Sequence, residues 1–429
     1  MTYEEAIAYL ESLTSFGIRP GLERMRALSE KLGRPETAYR VIHVTGTNGK
    51  GSVTAYMSSA LVHSGCRTGR FTSPHLFSYT ERMNIDGRDI SETDFAAVIE
   101  EVRGAAEACI AEGGESPTQF EVLTAAAFLY FAREKVDYAV VEVGLGGTLD
   151  STNIVTPIVS IITNVSIDHQ AFCGETVEDI AAHKAGIIKC GVPVVTAAQE
   201  PALSVIKKKA KELKAPLYVF DKDFSVISRS ASARGQMITL KDAKSGDAML
   251  FTGLAGVHQT VNLACAVKAI RLVALRDERI SEETMREGLA RAEWPGRFEV
   301  FVVDGRTVIF DGAHNASGAE AFSRTYEELF AGKTKTVVTA MLEDKDVSAL
   351  IGGLVHPGDR VFTVPAPTPR TRAPEALAKL MPTDAMPTDS VEAGMRAAFD
   401  VTPEGGIIVV AGSLYILGEA RAFTARKAN

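Results

Sequence analysis

The chain has 429 residues and a formal net charge of -8, and 46% of its residues are hydrophobic and 23% charged. One hydrophobic core rarely supports this length, so two or more domains are expected, and the negative net charge disfavours nucleic acid as a partner. Five scattered cysteines without a C-x-x-C pair favour reduced thiols in the cytoplasm over disulfides or a zinc site. The acidic, amphipathic start of the chain is unlike a signal peptide, and no apolar run reaches the roughly 18 residues that span a bilayer, so no membrane association is expected.

Short Val- and Ile-rich runs alternate with helical patterns along the first part of the chain, which predicts an α/β fold with a mostly parallel sheet. In chain order, the predicted elements are a strand at 40–44, a helix at 51–64, a helix at 118–133, and strands at 137–143 and 158–163. The last two strands are apolar enough to be buried on both faces. Alternating runs at 236–240 and 248–252 predict a small antiparallel flank.

A domain boundary is predicted at 292–297, because Pro295 and Gly296 interrupt a helical pattern there. A second series of strands follows at 307–311, 335–340, 360–364 and 406–411, with helical patterns between them. We therefore predict a nucleotide-binding domain over 1–295 and a smaller α/β domain over 296–429, which is a normal domain size.

The segment from Gly46 to Ser52 (GTNGKGS) lies between the first predicted strand and the helix that follows it. It departs from the usual G-x-x-x-x-G-K-[ST] phosphate loop, because Gly46 and Gly49 are closer together and an extra residue precedes Ser52. Closely spaced glycines at a helix N-terminus still let backbone N–H groups turn toward an anion. Lys50 would then reach the β- and γ-phosphates of ATP, and the hydroxyl of Ser52 or Thr47 would bind magnesium. The alternative is a glycine-rich turn that only joins strand to helix.

Segments along nearly the whole chain resemble, in the same order, those of one enzyme family. They are HVTGTNGKGSV (43–53), TSPHL (72–76), ERMNID (81–86), VEVGLGGTLDSTNI (141–154), NVSIDHQ (164–170), HKAGIIK (183–189), PGRF (295–298), DGAHN (311–315) and GSLYILGEAR (412–421). On these segments the chain resembles the folylpolyglutamate synthase and dihydrofolate synthase family, within the Mur-ligase superfamily. The resemblance implies a P-loop nucleotide-binding domain followed by a smaller Rossmann-like α/β domain. It also implies a ligase that joins L-glutamate to a folate carboxylate through an acyl phosphate, with ATP and one or two Mg²⁺ ions as cofactors.

The resemblance assigns roles to residues of the first domain. The implied ATP-binding positions are Thr47, Asn48, Gly49, Lys50, Gly51, Ser52 and Asn262, and the implied magnesium positions are Ser52, Ser73, Glu142 and His169. Glu142 could instead be a solvated acid at a strand end. His169 could be a packed or surface histidine, since hard cations prefer oxygen to imidazole. Lys184 matches a lysine that many relatives carry as a carbamate, with a plain surface lysine on a helix as the alternative.

In the second domain, the resemblance places Arg297, Asp311 and His314 around the nucleotide and the reacting centre. Asp311 and His314 follow a predicted strand, where open α/β sheets bind ligands. The guanidinium of Arg297 would match phosphoryl oxygens, with an ordinary ion pair between domains as the alternative. The predicted catalytic residues are Lys50, Lys184, Asp311 and His314. No residue stands out as the base for the glutamate amine, and His314 is the candidate for it.

The segment TQFE (118–121), with Glu81 and Arg82, resembles the region that holds the pterin and benzoyl parts of folate in this family. The four implied folate contacts are Glu81, Arg82, Phe120 and Asp150. Phe120 could stack on a flat ring or belong to the core. Asp150 lies in LGGTLDSTN, which resembles relatives that also make dihydrofolate from dihydropteroate. Its carboxylate could hydrogen-bond the donor edge of a pterin, or could cap a turn before Ser151 and Thr152. We therefore predict dihydrofolate synthase activity in addition to glutamate extension.

Two other functions are also compatible with a phosphate loop. A cell-wall amino-acid ligase of the same superfamily would share the phosphate loop, but TGTNGKGS with SPHL and DGAHN fits the folate branch better. A nucleotide switch that regulates a partner protein would be supported by a guanine-specific N-K-x-D segment, and the sequence has none. The expected partners are small molecules (folate or dihydropteroate, L-glutamate and ATP), and the protein is expected to act as a cytoplasmic monomer.

Overall fold

The computed structural model describes residues 1–17, 19–232, 234–343 and 347–428. The chain divides into two compact units. The first unit consists of Met1–Ser228, Thr239–Leu250 and Val261–Ala292, and the second of Arg229–Ile238, Phe251–Thr260 and Glu293–Asn429. Residues 229–238 and 251–260 thus group with the C-terminal part of the chain, so the units are not consecutive in sequence. The predicted domains 1–295 and 296–429 stay a prediction.

Helices and strands alternate along most of the chain. The helices are α1 (Tyr3–Ser12), α2 (Glu23–Lys31), α3 (Lys50–His63), α4 (Glu92–Ala111), α5 (Gln119–Arg133), α6 (Gln170–Cys173), α7 (Val177–Ala185), α8 (Ala202–Glu212), α9 (Val257–Ala274), α10 (Glu282–Ala290), α11 (Ala316–Phe330), α12 (Val347–Leu354), α13 (Pro374–Ala378), α14 (Val391–Val401) and α15 (Leu417–Ala428). The strands are β1 (Arg40–Thr45), β2 (Thr68–Phe71), β3 (Met83–Ile85), β4 (Arg88–Asp89), β5 (Tyr138–Glu142), β6 (Val159–Ile162), β7 (Val194–Thr196), β8 (Leu217–Val219), β9 (Phe224–Ser232), β10 (Gly235–Asp242), β11 (Ala248–Thr252), β12 (Glu299–Val303), β13 (Arg306–Phe310), β14 (Thr336–Thr339), β15 (Arg360–Thr363), β16 (Ala385–Pro387) and β17 (Ile407–Ala411).

The large sheet of the first unit has eight strands in the order β4-β3-β2-β5-β1-β6-β7-β8. The six strands from β2 to β8 in this order run parallel, whereas β3 and β4 form an antiparallel edge. Strand β5 is buried throughout and β1 all but its first residue, because apolar side chains dominate both of their faces. Val44 lies beside Glu142, so the loop after β1 and the last residue of β5 meet at the carboxyl edge of the sheet.

A dense apolar core lies between this sheet and the helices α4 and α5. Phe95 of α4 and Phe128 of α5 are fully buried, together with Phe71 and Val141 from the sheet. Gly69 of β2 lets α5 approach closely, because an added Cβ would lie 2.7 Å from a side-chain carbon of Phe131. This packing fixes the strands whose carboxyl ends carry the loops described below.

The second unit is built on a six-stranded sheet in the order β12-β13-β17-β14-β15-β16. Only β12 is antiparallel to its neighbour in this sheet. Phe322 and Tyr326 of α11 and Leu350 of α12 pack with buried strand residues such as Val337 and Val409. The remaining described strands form a separate three-stranded sheet in the order β11-β10-β9.

The predicted fold class is confirmed, since a large, mostly parallel sheet is joined by a second, smaller α/β unit. The strands predicted at 137–143 and 158–163 are slightly shorter in the structure, and the helix predicted from residue 51 begins at Lys50. All five cysteines are free thiols. Within the described ranges, no helix has both the length and the apolar character needed to cross a membrane.

Candidate active site

The loop between β1 and α3 contains two glycines in backbone conformations that other residues rarely adopt. Gly46 has φ 152° and Gly49 has φ 83°. A Cβ atom on Gly46 would overlap the side chain of Thr163, and one on Gly49 would overlap Asn262 of α9. Only glycine fits both the conformation and the space. The loop is therefore in close contact with the end of β6 and with α9.

Residues after β6 hold this loop in place. The backbone O of Asn164 accepts a hydrogen bond from Thr47 N at 2.9 Å, and its Oδ1 accepts one from Asn48 N at 2.9 Å. The Thr47 hydroxyl donates to Ser166 O at 3.1 Å and accepts from Ser166 N at 3.0 Å. The hydroxyl of Thr163 donates to Asn48 O at 2.6 Å. No role for these bracing residues was predicted from the sequence, although the segment NVSIDHQ contains two of them, Asn164 and Ser166.

Lys50 is the first residue of α3, and its side chain folds back over the phosphate loop. Its Nζ donates to the carbonyl oxygens of Gly46 and Thr47, each at 3.2 Å. A small pocket in the described part of the first unit is lined by Thr45, Gly46, Thr47, Lys50, Val143, Gly144, Gly146, Asp168, His169, Cys173 and Lys184. Four of the predicted site residues therefore line one pocket, namely Thr47, Lys50, His169 and Lys184. Cys173 shares it and had not been predicted.

Glu142 ends β5 beside the phosphate loop and is only 4% exposed, which contradicts the alternative of a solvated acid. Its Oε2 accepts a hydrogen bond from Ser73 N at 3.2 Å. Among the described residues, no three His, Cys, Asp or Glu side chains cluster closely enough to hold a metal by themselves. A cation here would therefore need oxygen from hydroxyls, phosphates or water as well as Glu142. That donor set suits Mg²⁺, which usually binds one or two carboxylates plus substrate phosphates.

The Mg²⁺ positions predicted at Ser52 and His169 differ in their surroundings. Ser52 lies in the first turn of α3 and is 1% exposed. His169 lies just before α6 with φ 52°, and its side chain is 48% exposed. Asp168 Oδ1 accepts a hydrogen bond from His169 N at 2.9 Å. The ring of His169 is thus open to solvent beside the pocket, and its place in a metal site stays a prediction.

Lys184 lies on α7 and is 5% exposed, so it is not the surface lysine that the sequence left open. Burial, and secondarily the positive charge of Lys50, lowers the pKa of Lys184 to about 7. The glycine-rich loop after β5 packs on α7 at this point. A Cβ on Gly147 would lie 2.6 Å from His183 O, and Thr148 N donates to the same carbonyl at 2.9 Å. The pocket therefore contains the amine of Lys184, which is largely unprotonated above about pH 7.

Asp150 anchors the turn that follows this glycine-rich loop. It is 6% exposed, and its Oδ2 accepts from Leu145 N at 2.8 Å while its Oδ1 accepts from Thr152 N at 3.0 Å and from the Thr152 hydroxyl. Burial raises the pKa of Asp150. The Thr152 hydroxyl is also 2.8 Å from Nε2 of the buried His43. Of the two roles that the sequence left open for Asp150, this geometry favours capping of the turn. A contact between Asp150 and the pterin stays a prediction.

Phe120 lies next to the same glycine-rich loop. Its ring stacks on Phe71 with the centroids 5.9 Å apart. A Cβ on Gly144 would lie 2.5 Å from Phe120 Cζ and 3.2 Å from Asp150 Oδ2. Two of the four predicted folate residues therefore flank Gly144, which lines the pocket. Phe120 is partly buried, so both of its predicted roles stay open.

Glu81 and Arg82 belong to the segment that joins β2 and β3. The Glu81 carboxylate accepts hydrogen bonds from the three successive backbone N–H groups of residues 76–78 at 2.8, 2.6 and 2.7 Å. Arg82 Nε donates to His75 Nδ1 at 2.9 Å. Burial, and secondarily Arg82, lowers the pKa of His75 to about 3, which keeps this ring neutral as an acceptor. Glu81 and Arg82 thus stabilise the loop that contains them through hydrogen bonds. Their contact with folate stays a prediction.

In the second unit, Asp311 follows β13 and is 7% exposed. Its oxygens accept hydrogen bonds from Phe298 N at 2.9 Å and Ala313 N at 2.8 Å. Burial raises the pKa of Asp311 to about 6, and the charge of Arg297 opposes this rise. His314 Nδ1 lies 2.8 Å from Gly312 O. Because a carbonyl only accepts, Nδ1 carries the proton, and Nε2 is the acceptor nitrogen of the neutral ring.

The last two predicted nucleotide residues lie in different units. Arg297 Nη1 donates to Gly296 O at 3.0 Å and packs on Gly312, where a Cβ would overlap the guanidinium. Arg297 therefore stays with Asp311 in the second unit. Asn262 belongs to the first unit, where it contacts Gly49 of the phosphate loop.

Comparison with known proteins places this site in a family. Residues 44–270 match the Mur ligase middle domain and residues 296–414 match the Mur ligase, glutamate ligase domain. The chain is 39% identical over 352 residues to the dihydrofolate synthase/folylpolyglutamate synthase of Bacillus subtilis, which covers 81% of this chain and 82% of that protein. It is 36% identical over 425 residues to the folylpolyglutamate synthase of Lacticaseibacillus casei, with 98% of each chain covered. The structure matches Mycobacterium tuberculosis folylpolyglutamate synthase complexed with ADP with a TM-score of 0.91, 31% identity and 100% of both chains covered. The chain therefore belongs to the folylpolyglutamate synthase/dihydrofolate synthase family of Mur ligases.

Proposed function

We propose that this protein is an ATP-dependent ligase that joins L-glutamate to a carboxylate of folate through an acyl phosphate. The observation that carries the proposal is the pocket in which the phosphate-loop lysine, Lys50, and the buried Lys184 meet beside the β5 strand that ends in Glu142. The relatives named above are folylpolyglutamate and dihydrofolate synthases, which supports folate and glutamate as substrates. The ADP complex of the M. tuberculosis protein supports an adenine nucleotide.

The proposed reaction has two chemical steps. A folate carboxylate oxygen attacks the γ-phosphorus of ATP, so that an acyl phosphate forms and ADP leaves. The glutamate nitrogen then attacks the acyl carbon, a C–N bond forms, the C–O bond to phosphate breaks, and the amine loses a proton. Activation is needed because hydroxide is a poor leaving group from a carboxylate. Charge accumulates on phosphoryl oxygens in both steps, so preorganised positive groups lower the barrier.

In the first unit, the backbone amides of the phosphate loop and Lys50 would hold the phosphates. Glu142, with the hydroxyls of Ser52 and Ser73, would hold Mg²⁺, which neutralises phosphoryl charge when bound. We propose that the neutral amine of Lys184 attacks CO₂, so that an N–C bond forms, one C=O π bond of CO₂ opens and the nitrogen loses a proton, which leaves a carbamate. The buried carbamate would add a carboxylate-like oxygen to the pocket, which suits a second Mg²⁺.

In the second unit, we propose that Arg297 binds phosphoryl oxygens and that Asp311 and His314 serve the ligation step. With a pKa of about 6, Asp311 is mostly ionised at neutral pH. Its hydrogen bonds to Phe298 N and Ala313 N hold the turn that carries His314. Because Nδ1 of His314 is directed to Gly312 O, Nε2 would receive the proton of the glutamate amine.

Phosphate release from ATP tests the proposal directly. Dihydropteroate, tetrahydrofolate and a muramyl peptide precursor would each be supplied with and without glutamate. We expect glutamate-dependent phosphate release with tetrahydrofolate and also with dihydropteroate, and none with the muramyl compound. Release with the muramyl compound alone would establish a cell-wall ligase instead. Extension of tetrahydrofolate without any reaction of dihydropteroate would refute the dihydrofolate synthase activity.

Asp150→Ala separates the two roles of that carboxylate. The substitution removes the acceptor of the Leu145 and Thr152 hydrogen bonds, so we expect a loss of about 1–3 kcal/mol in the free energy of unfolding. We also expect activity to fall to the same extent with dihydropteroate and with tetrahydrofolate, because the reaction of both substrates depends on the native conformation of the glycine-rich loop. A clearly larger loss with dihydropteroate, measured by phosphate release, would instead support a pterin contact.

We propose further that the protein works in the cytoplasm as a monomer, with small molecules as its only substrates and neither nucleic acid nor membrane as a partner. Five free cysteines support a reducing compartment. The net charge of -8 supports the exclusion of nucleic acid. Light scattering of the purified protein would test the monomer.

A further inference from the structure

The segment LGGTLDSTN ends in a buried residue, Asn153, that has no role in the proposed reaction. Asn153 lies in a turn of 3₁₀ helix (Ser151–Ile154) and is 6% exposed. Its backbone N donates to Asp150 O at 2.8 Å, so it belongs to the turn that Asp150 caps. A buried side-chain amide is unfavourable unless its donors and its acceptor are paired. The partners of this amide therefore show what Asn153 stabilises.

The side-chain amide of Asn153 joins two segments that are distant in sequence. Its Nδ2 donates to Thr148 O in the glycine-rich loop at 3.0 Å and to Gly186 O, just after α7, at 3.2 Å. Its Oδ1 accepts from Lys189 Nζ at 2.8 Å. These partners fix the orientation of the amide, because a flipped amide would place its oxygen against two carbonyl oxygens and its NH₂ group against an ammonium. Asn153 therefore holds the glycine-rich loop against the end of α7.

The part of α7 that contacts this loop carries Lys184. Thr148 N and the Thr148 hydroxyl both donate to His183 O, at 2.9 and 3.0 Å. The packing is close, since a Cβ on Gly186 would overlap the side chain of Thr148 and one on Gly147 would lie 3.1 Å from Lys184 Cα. The glycine-rich loop is thus attached on both sides of Lys184, directly to residue 183 and through the amide of residue 153 to residue 186.

The glycine-rich loop is also attached to the strand that leads into the phosphate loop. Thr45 ends β1, and its hydroxyl donates to Gly146 O at 2.7 Å. Thr45 and Gly146 line the same pocket as Lys50 and Lys184. The loop therefore connects the helices that carry the two lysines, α3 and α7. Thr45 sets the position of the loop relative to β1, and Asn153 sets the position of α7 relative to the loop.

We propose that Asn153 is a positioning residue, which keeps Lys184 in the pocket by holding the glycine-rich loop against α7. The inference rests on the proposed function, in which Lys184 supplies a carbamate oxygen beside Lys50, and it adds a residue that acts only through Lys184. The placement of a reacting group matters because a displacement of about 1 Å can lower a rate by about 100-fold. Loss of the two hydrogen bonds should therefore affect the rate of the chemical step more than the binding of substrates.

Asn153→Asp tests the assignment, because it replaces one NH₂ group by an oxygen at nearly constant volume. The variant loses both donors but keeps the acceptor for Lys189, and its new oxygen repels two carbonyl oxygens. We expect kcat for glutamate ligation to fall about tenfold, with an unchanged KM for glutamate. Asn84→Asp is the matched control. Asn84 is 3% exposed and donates to Asp89 at 2.7 Å in the β3–β4 hairpin, away from the residues that line the pocket, so its kcat should equal that of the wild type.

Acetylation by acetic anhydride, followed by peptide mass spectrometry, measures the position of Lys184 independently of activity. The reaction would be run in CO₂-free buffer, where no carbamate protects the amine. In the wild type Lys184 is 5% exposed and should react far more slowly than Lys207, whose side chain is 45% exposed. In Asn153→Asp, the acetylation of Lys184 relative to Lys207 should rise several-fold, whereas in Asn84→Asp it should stay at the wild-type level.

Either a wild-type kcat or a protected Lys184 in the folded Asn153→Asp protein would overturn the inference. Equal changes in Asn84→Asp would also overturn it, because they would reflect a general loss of stability. If the wild type itself ligates no glutamate, the proposed function fails, and acetylation alone then decides whether Asn153 positions Lys184. Should Asn153→Asp not fold, Asn153→Ala replaces it in both measurements, because it removes the two donors without adding a charge.

Discussion

Lys50→Ala should lower kcat/KM for ATP-dependent glutamate ligation by about 100-fold or more, at an unchanged fold. Lys50 Nζ lies at the carbonyl oxygens of Gly46 and Thr47, on the wall of the pocket where the β- and γ-phosphates are proposed to bind. Removing one preorganised electrostatic contact typically costs on the order of 3 kcal/mol in the barrier, which corresponds to that factor. Alanine is also the best helix former, so α3 should keep its first turn.

The measurement is phosphate release with tetrahydrofolate and glutamate, alongside circular dichroism of the variant. Lys207→Ala is a suitable control, because Lys207 on α8 is 45% exposed and pairs with Glu200 on the surface. Its activity should equal that of the wild type. A folded Lys50→Ala protein that keeps more than half of the wild-type rate would refute the phosphate-loop assignment.

Much of the first unit could be predicted because its signals are local. The strand at 40–44 and the apolar run at 137–143 are continuous stretches of Val and Ile, and only buried strands tolerate such runs. The phosphate loop was recognisable because Gly46, Gly49 and Lys50 lie together between a predicted strand and the start of a predicted helix. The structure adds the reason for each glycine: both have a positive φ that other residues rarely adopt, and the side chains of Thr163 and Asn262 occupy the space that a Cβ would need.

Other contacts are set by backbone geometry and packing, which residue spacing does not reveal. The sequence left open whether Asp150 caps a turn, and it did not indicate that the Asp150 carboxylate accepts from Leu145 N and Thr152 N or that the Glu81 carboxylate accepts from three backbone N–H groups. The same limit applies to Lys184. A lysine on an amphipathic helix is usually predicted to be exposed to solvent. Lys184 is buried because the glycine-rich loop packs on α7.

Activity should depend on CO₂ through Lys184, the second prediction with a large expected effect. In CO₂-free buffer the wild type should lose most of its activity, and added bicarbonate should restore it. Lys184→Ala should be about 100-fold less active and should not respond to bicarbonate, because it lacks the amine that forms the carbamate. The control is Lys189→Ala, measured under both conditions. Lys189 donates to Asn153 near the same loop but does not line the pocket, so this variant should still respond to bicarbonate.

The pH dependence follows from the lowered pKa of Lys184. Only the unprotonated amine reacts with CO₂, and burial lowers the pKa in the folded protein from 10.5 to about 7. At a pH of about 8 roughly nine in ten of these amines would be neutral, against well under about one in a hundred for a solvated lysine. At a fixed concentration of dissolved CO₂, the bicarbonate-dependent part of the activity should therefore grow as the pH rises through about 7 and level off above it. A bicarbonate effect that first emerges near pH 10, or none at any pH, would mean that Lys184 acts as a plain ammonium group beside Lys50 and carries no carbamate.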